Sequence, residues 1–131
     1  MSYGFLTDLV VEKIAEGDSN GRATWMLREP LEYRSQLIGM VIVPAGFQTD
    51  FASVPRAPLA YWLTGDTAHG SAVVHDYLCR VLVPAGRITW SRAADVFGEA
   101  MKHEGVPAWR RWLMRMAVVG ADPANRVQTD A

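Results

Sequence analysis

Nothing in this chain limits its fold more than the apolar run Leu37 to Val43 and the segment that follows it, Gly46-Phe47-Gln48-Thr49-Asp50-Phe51-Ala52-Ser53-Val54-Pro55-Arg56. The run is too continuous for a half-exposed strand, which predicts a central strand covered on both faces. Pro44-Ala45-Gly46 supplies the turn that ends it. Beyond that turn come Thr49, Asp50 and Ser53, and Pro55 sits where a helix can begin, since its missing N–H and fixed φ suit a first turn. Ser53 is the natural N-cap. On a purely structural reading Asp50 and Ser53 accept backbone N–H bonds at the corner, and Phe47 and Phe51 bury their rings.

The residues before this junction read as β. Val10, Val11 and Ile14 precede the turn cluster Asp18-Ser19-Asn20-Gly21, and Ala23, Trp25 and Leu27 then alternate with Thr24 and Arg28, which is a hairpin signal. After Glu29-Pro30, Leu31 and Tyr33 alternate with Glu32 and Arg34. The expected sheet is small and largely antiparallel.

The residues after the junction read as helical. Ala57 to Leu63 can make a short helix with Tyr61 and Trp62 inward, ended by Thr64-Gly65-Asp66-Thr67. A second helix is predicted from about Ala68 to Val81, with Val74, Tyr77, Leu78 and Val81 as its apolar stripe. Thr89 or Ser91 can cap a third, running to about His103 with Ala94, Phe97 and Met101 on the core face. Pro107 opens a fourth to about Val119, expected to bury Trp109, Trp112, Leu113 and Met116. Residues 121–131 carry no apolar period and read as a loose tail. The fold class is therefore α+β: a small, largely antiparallel sheet from the N-terminal third with three to four helices packed on it, in one domain over residues 1–120.

Composition excludes several function classes. At 131 residues, half of them hydrophobic and 21% charged, the chain can bury a core without staples and reads as a soluble globular domain. A net charge of −1 gives no electrostatic case for nucleic acid or an anionic membrane as an obligatory partner. Cys79 is the only cysteine, so no intrachain disulfide can form. No run reaches the length of a membrane span and Met1 to Gly4 begins no secretion signal, so synthesis in the cytoplasm is expected.

Few residues are candidates for chemistry. His75 and Asp76 are neighbours in a helix, so they diverge by about 100° and cannot both face one point unaided. Asp76, four residues before Arg80, suits a surface ion pair; His75, at the edge of the apolar stripe, suits a core-edge histidine bonded to a carboxylate such as Asp50. Catalytic use of Asp50, His75 and Asp76 is the competing reading. Asp95 shares the polar face of its helix with Arg92, Glu99 and Lys102, where solvation is the simpler expectation. The spacing of His69 and Asp76 occurs in some cell-wall zinc peptidases, and the order His69, His75-Asp76, Asp95 is similar to that of HD-motif phosphohydrolases. The first needs a further downstream ligand motif and only His103 remains, while the second are larger all-helical domains. Ser53 lacks a G-x-S-x-G elbow, Cys79 fits a small buried hydrophobe, and there is no Gly-rich phosphate cradle. Arg110, Arg111 and Arg115 form a basic face that suits solvent, an acidic partner or a phosphate.

Taken together, F-x-T-D-x-A-S-V-P at residues 47–55, Ala72-Val73-Val74-His75-Asp76-Tyr77-Leu78, Arg92 to Phe97, Ala100-Met101 and Gly105-Val106 resemble a family of small proteins of unknown function encoded by tailed phages and prophages. The resemblance spans residues 37–120 and singles out Phe47, Thr49, Asp50, Ser53, Pro55, His75, Asp76, Asp95 and Met101, but not His69 or Cys79. It implies a phage setting, often near tail and lysis functions, and no particular activity.

Two functions are thereby expected to compete. In the favoured one the protein is a non-catalytic phage accessory or virion- or tail-associated module, in which Asp50, His75 and Asp76 form a structural polar network and Phe47, Thr49, Ser53, Pro55, Arg56 and Asp95 complete the motif. In the alternative it is a small hydrolase, metal-assisted and directed at the cell wall or lysis, using Asp50 and His75. The sequence leaves both cofactor and metal open. The expected partners are other phage proteins, or a second copy docked through the Trp109/Trp112 helix. Synthesis in the host cytoplasm is expected, with the virion as a further location.

Overall fold

The computed structural model describes residues 2–16, 24–49 and 69–120, and all side chains among them except those of residues 69 and 117–120. The expected turn at Asp18 to Gly21, the helix over Ala57 to Leu63, the tail over 121–131, and Asp50, Ser53, Pro55 and Arg56 lie outside the described residues.

The architecture is α+β. Six strands, β1 (Gly4–Phe5), β2 (Val11–Ala15), β3 (Thr24–Leu27), β4 (Leu31–Ser35), β5 (Gly39–Val43) and β6 (Gln48–Thr49), precede the helices among the described residues. They form two antiparallel three-stranded sheets, ordered β1-β4-β5 and β2-β3-β6. The expected hairpin is β2-β3, with Val11 opposite Leu27 and a register shift between Lys13 and Ala15. β4 carries out the alternation in its sequence: Leu31, Tyr33 and Ser35 are buried while Glu32 and Arg34 are half-buried.

The apolar run behaves differently from expectation. β5 is at the margin of its sheet and pairs with β4, with Val41 and Val43 in the core and Met40 and Ile42 exposed. It is a one-face strand whose outer positions happen to be apolar. The run ended as expected: Phe47 N–H bonds Pro44 O at 3.2 Å, and Gly46 takes φ +89°, a conformation a side chain would strain. This turn passes the chain from one sheet to the other, because Gly46 N–H donates to Leu27 O at 2.7 Å and Leu27 N–H to Phe47 O at 2.9 Å.

Three helices follow: α1 (His69–Tyr77), α2 (Trp90–His103) and α3 (Ala108–Gly120). α1 packs on β5, α2 on β1 and β4, and α3 on α2. Between α1 and the next turn the backbone widens into a π-helical segment, Leu78–Leu82, where Val83 N–H bonds Leu78 O at 2.9 Å. Thr89 is the N-cap of α2, accepting from Arg92 N–H at 3.0 Å, and Ala94, Phe97 and Met101 are buried on its core face as the spacing predicts. Glu104, just past the end of α2, reaches the start of α1 and accepts from Gly70 N–H at 3.2 Å, from Ser71 N–H at 2.8 Å and from the Ser71 hydroxyl. A side-chain carboxylate on bare helical N–H groups, at the positive end of the peptide dipoles, satisfies donors that no main-chain acceptor can reach. A Cβ at Gly70 would stand 2.9 Å from Glu104 Oε2 and 3.0 Å from Phe5 Cε1, so a side chain there would have to displace the carboxylate or the ring.

α3 corrects the expectation most plainly. Trp109, Trp112, Leu113 and Met116 are exposed, and Met114 is the buried residue of the helix among those described. The stripe is real, at i, i+3, i+4 and i+7, but it points away from the core.

Candidate functional site

The turn at Gly46 delivers Phe47, Gln48 and Thr49 onto the C-terminal half of α1. Thr49 is buried in β6 and its hydroxyl donates to Oδ2 of Asp76, itself 0% exposed. Oδ2 also accepts from Arg80 Nη1 at 3.1 Å, and the same Nη1 donates to Gln48 O at 2.6 Å. The arginine thus links the buried carboxylate to the β6 backbone. Its guanidinium lies 5.0 Å from the centre of the Phe47 ring, which meets Tyr77 edge to face at 5.5 Å. The i,i+4 pairing of Asp76 with Arg80 is as expected; its surface location is not. The Arg80 side chain is 52% exposed and acts as the solvent-side cover of a carboxylate sealed beneath it.

His75 is also fully buried, but turned elsewhere. Its ring packs on Phe97 of α2 at 4.7 Å, and Nε2 is 3.4 Å from Cys79 Sγ. Removal from water disfavours the charged imidazole and pushes its pKa down to about 4, so His75 is neutral at pH 7. The divergence expected of helical neighbours is therefore realised: Asp76 faces β6 and His75 faces α2. Cys79 and His75 do touch, unlike a pair with no relation, but a thiol 7% exposed has little access to a substrate.

Asp95 does not join them. Two positions before the buried Phe97, it points to the other side of α2, where its Oδ1 takes Arg115 Nη1 of α3 at 2.5 Å. The expectation that Asp95 is simply solvated is corrected by this pair. Asp95 ties α3 to α2, and Glu99 accepts the Tyr33 hydroxyl at 2.5 Å and Gln36 N–H at 3.1 Å, tying α2 to β4 and its turn. Burial and that carboxylate hold Tyr33 protonated far above the usual phenol range. Met101 is plain core. Of the described motif residues, then, Phe47 and Thr49 meet the Asp76 side of α1 while His75 faces α2, and the described residues contain no group of three or more His, Cys, Asp or Glu able to hold a metal ion.

Arg80 and Glu104 were the contributors that sequence reasoning undervalued. Arg80 was visible as the partner of Asp76, but not its hold on Gln48 O. Glu104 gave no signal, because its targets are 33 and 34 residues away. A concavity of about 720 Å³ lies between α2 and α3, with Asp95, Lys102, Arg111 and Trp112 among its lining.

No helix among the described residues is long and apolar enough to cross a membrane. No curated protein and no solved structure matches the chain. A family model does match residues 25–118, from β3 through most of α3. The chain therefore belongs to the family described as protein of unknown function (DUF1353).

Proposed function

We propose that the protein is a non-catalytic accessory module of a tailed phage or prophage, made in the host cytoplasm and associated with the virion or tail, which acts by docking another protein through α3. The phage setting rests on the resemblance carried by the F-x-T-D-x-A-S-V-P and H-D-x-L stretches. The observation that carries the non-catalytic reading is that His75 and Asp76 are both 0% exposed and, among the described residues, contact different elements. A general base or metal ligand must reach a substrate or an open coordination position; a side chain packed between α1 and α2 supports the fold. A buried polar network, here joining β6, α1 and the π-helical segment through Asp76 Oδ2, favours one arrangement of the junction.

The hydrolase alternative, with Asp50 and His75 assisted by a metal, is the reading against which this one is tested. Purified protein titrated with Zn²⁺, Mn²⁺ or Ni²⁺ should take up no stoichiometric metal tightly. Micromolar or tighter uptake lost in both Asp50→Ala and His75→Ala, with muralytic activity restored by that metal, would replace the proposal with the hydrolase.

A further inference from the structure

The concavity between α2 and α3 is lined by three cations, Lys102, Arg111 and Arg115, against two carboxylates, Asp95 and Glu99, an excess of positive charge that favours an anionic occupant. Both of its acidic groups are engaged within the chain, Asp95 by Arg115 and Glu99 by Tyr33 and Gln36. Its cations are not so matched. Among the described residues Lys102 and Arg111 have no carboxylate partner, and Arg111 uses Nη1 on Val106 O at 2.6 Å, leaving other guanidinium donors for an incoming group. Trp112, 62% exposed, lies in the wall beside them. From there Leu113 and Met116 continue the apolar surface along α3, outside the concavity.

We infer that the α2–α3 cleft and the adjoining stripe Trp112, Leu113 and Met116 bind an acidic amphipathic helix of a partner protein, with Trp112 as the apolar anchor and Lys102 and Arg111 receiving its carboxylates. The inference rests on the docking role proposed above and supplies the chemistry of the partner. The stripe, continuing past the cleft, matches an extended segment, whereas a compact small anion would use the cleft alone. α3 has i,i+3/i+4 apolar spacing and so offers the face that another helix lays its own stripe against. A second copy of α3 is a poor occupant. The helix sequence holds three arginines and no acidic residue, so a twofold contact would set cation against cation. Carboxylates on the partner reverse that sign and steer its approach.

The test uses two labelled synthetic peptides of about 15 residues with the same Leu/Phe stripe at helical spacing. One has Glu on its flanks, the other Lys at the same positions. Fluorescence anisotropy with the full chain should show the Glu peptide bound about tenfold or more tighter, with the preference shrinking as salt is raised from about 50 to about 300 mM. Trp112→Ala should weaken binding about tenfold or more, and Lys102→Glu should reduce the ratio between the peptides. Both residues are exposed, so unchanged thermal melts will certify the variants. Equal affinity for the two peptides, no binding of either, or self-association in sedimentation that Trp112→Ala abolishes would each overturn the inference. None of those results touches the non-catalytic reading, which stands or falls on the metal titration and muralytic assay.

Discussion

α1 and α3 invert the usual distribution of side chains in opposite ways. On α1 and the segment after it, a carboxylate, an imidazole and a thiol are buried; on α3, two tryptophans, a leucine and a methionine are exposed. The buried polar groups each have protein neighbours, so the desolvation they suffer is offset by hydrogen bonds and ring contacts and the region is held in one arrangement. Trp112, Leu113 and Met116 bury little of their side chains against the described chain, so they add little to folding. On the proposed reading, stability and recognition are thereby assigned to different helices.

The sharpest way to break this comparison is through pH. His75 has a folded-state pKa of about 4, below the ordinary value of 6.5, so the unfolded chain takes up a proton more readily than the folded one between those values. Its contribution is complete above pH 6.5 and is lost as the pH falls toward 4, a loss on the order of 3 kcal/mol. Denaturant melts at pH 7 and pH 4.5 should show that loss in the parent and a smaller one in His75→Leu. Identical pH dependence in the two would remove His75 from the buried class.

Next in size is Asp76→Ala. It removes the carboxylate that accepts from the buried Thr49 hydroxyl and releases Arg80, which is exposed enough to be solvated, so the cost should be about 1–3 kcal/mol by chemical denaturation. A variant as stable as the parent would mean that the α1 network does not hold the junction. The smallest effect belongs to α3: Trp112→Ala should change stability by less than about 0.5 kcal/mol, as for other surface truncations. A loss of 2 kcal/mol or more, as is typical of a buried aromatic, would show that α3 is a folding element like α1 and erase the contrast.

Much of the fold was legible because it depends on short-range pattern. The β2-β3 hairpin, the alternation in β4, the Thr89 cap and the Ala94-Phe97-Met101 face each declare themselves within a few residues. What failed depends on what lies opposite. An apolar stripe has the same spacing whether its own chain covers it or a partner does, which is why Trp112 and Leu113 read as core. An Asp and an Arg four residues apart form the same pair at the surface or under a strand, so the burial of Asp76 could not be read until β6 was placed above it. The continuity of Leu37 to Val43 gave no sign that β5 ends a sheet, since β-branched residues suit an outer face as well as an inner one. Of the candidate site, the His75-Asp76 divergence followed from helix geometry alone; the reach of Glu104 to α1 followed from nothing local.

The π-helical segment Leu78–Leu82 behaves as a helix with one residue to spare. Shortening it by a single residue would let ordinary i→i+4 bonding resume without breaking the rod, and the side chains beyond it would keep their faces, because the wide turn is what takes up the extra residue. The change would fall on the residues inside the segment, and Arg80, one of them, would lose its place above Phe47 and Gln48 O. A one-residue gap at this point in any related sequence is therefore a marker that the cover over Asp76 has been given up, even where Asp76 itself is retained.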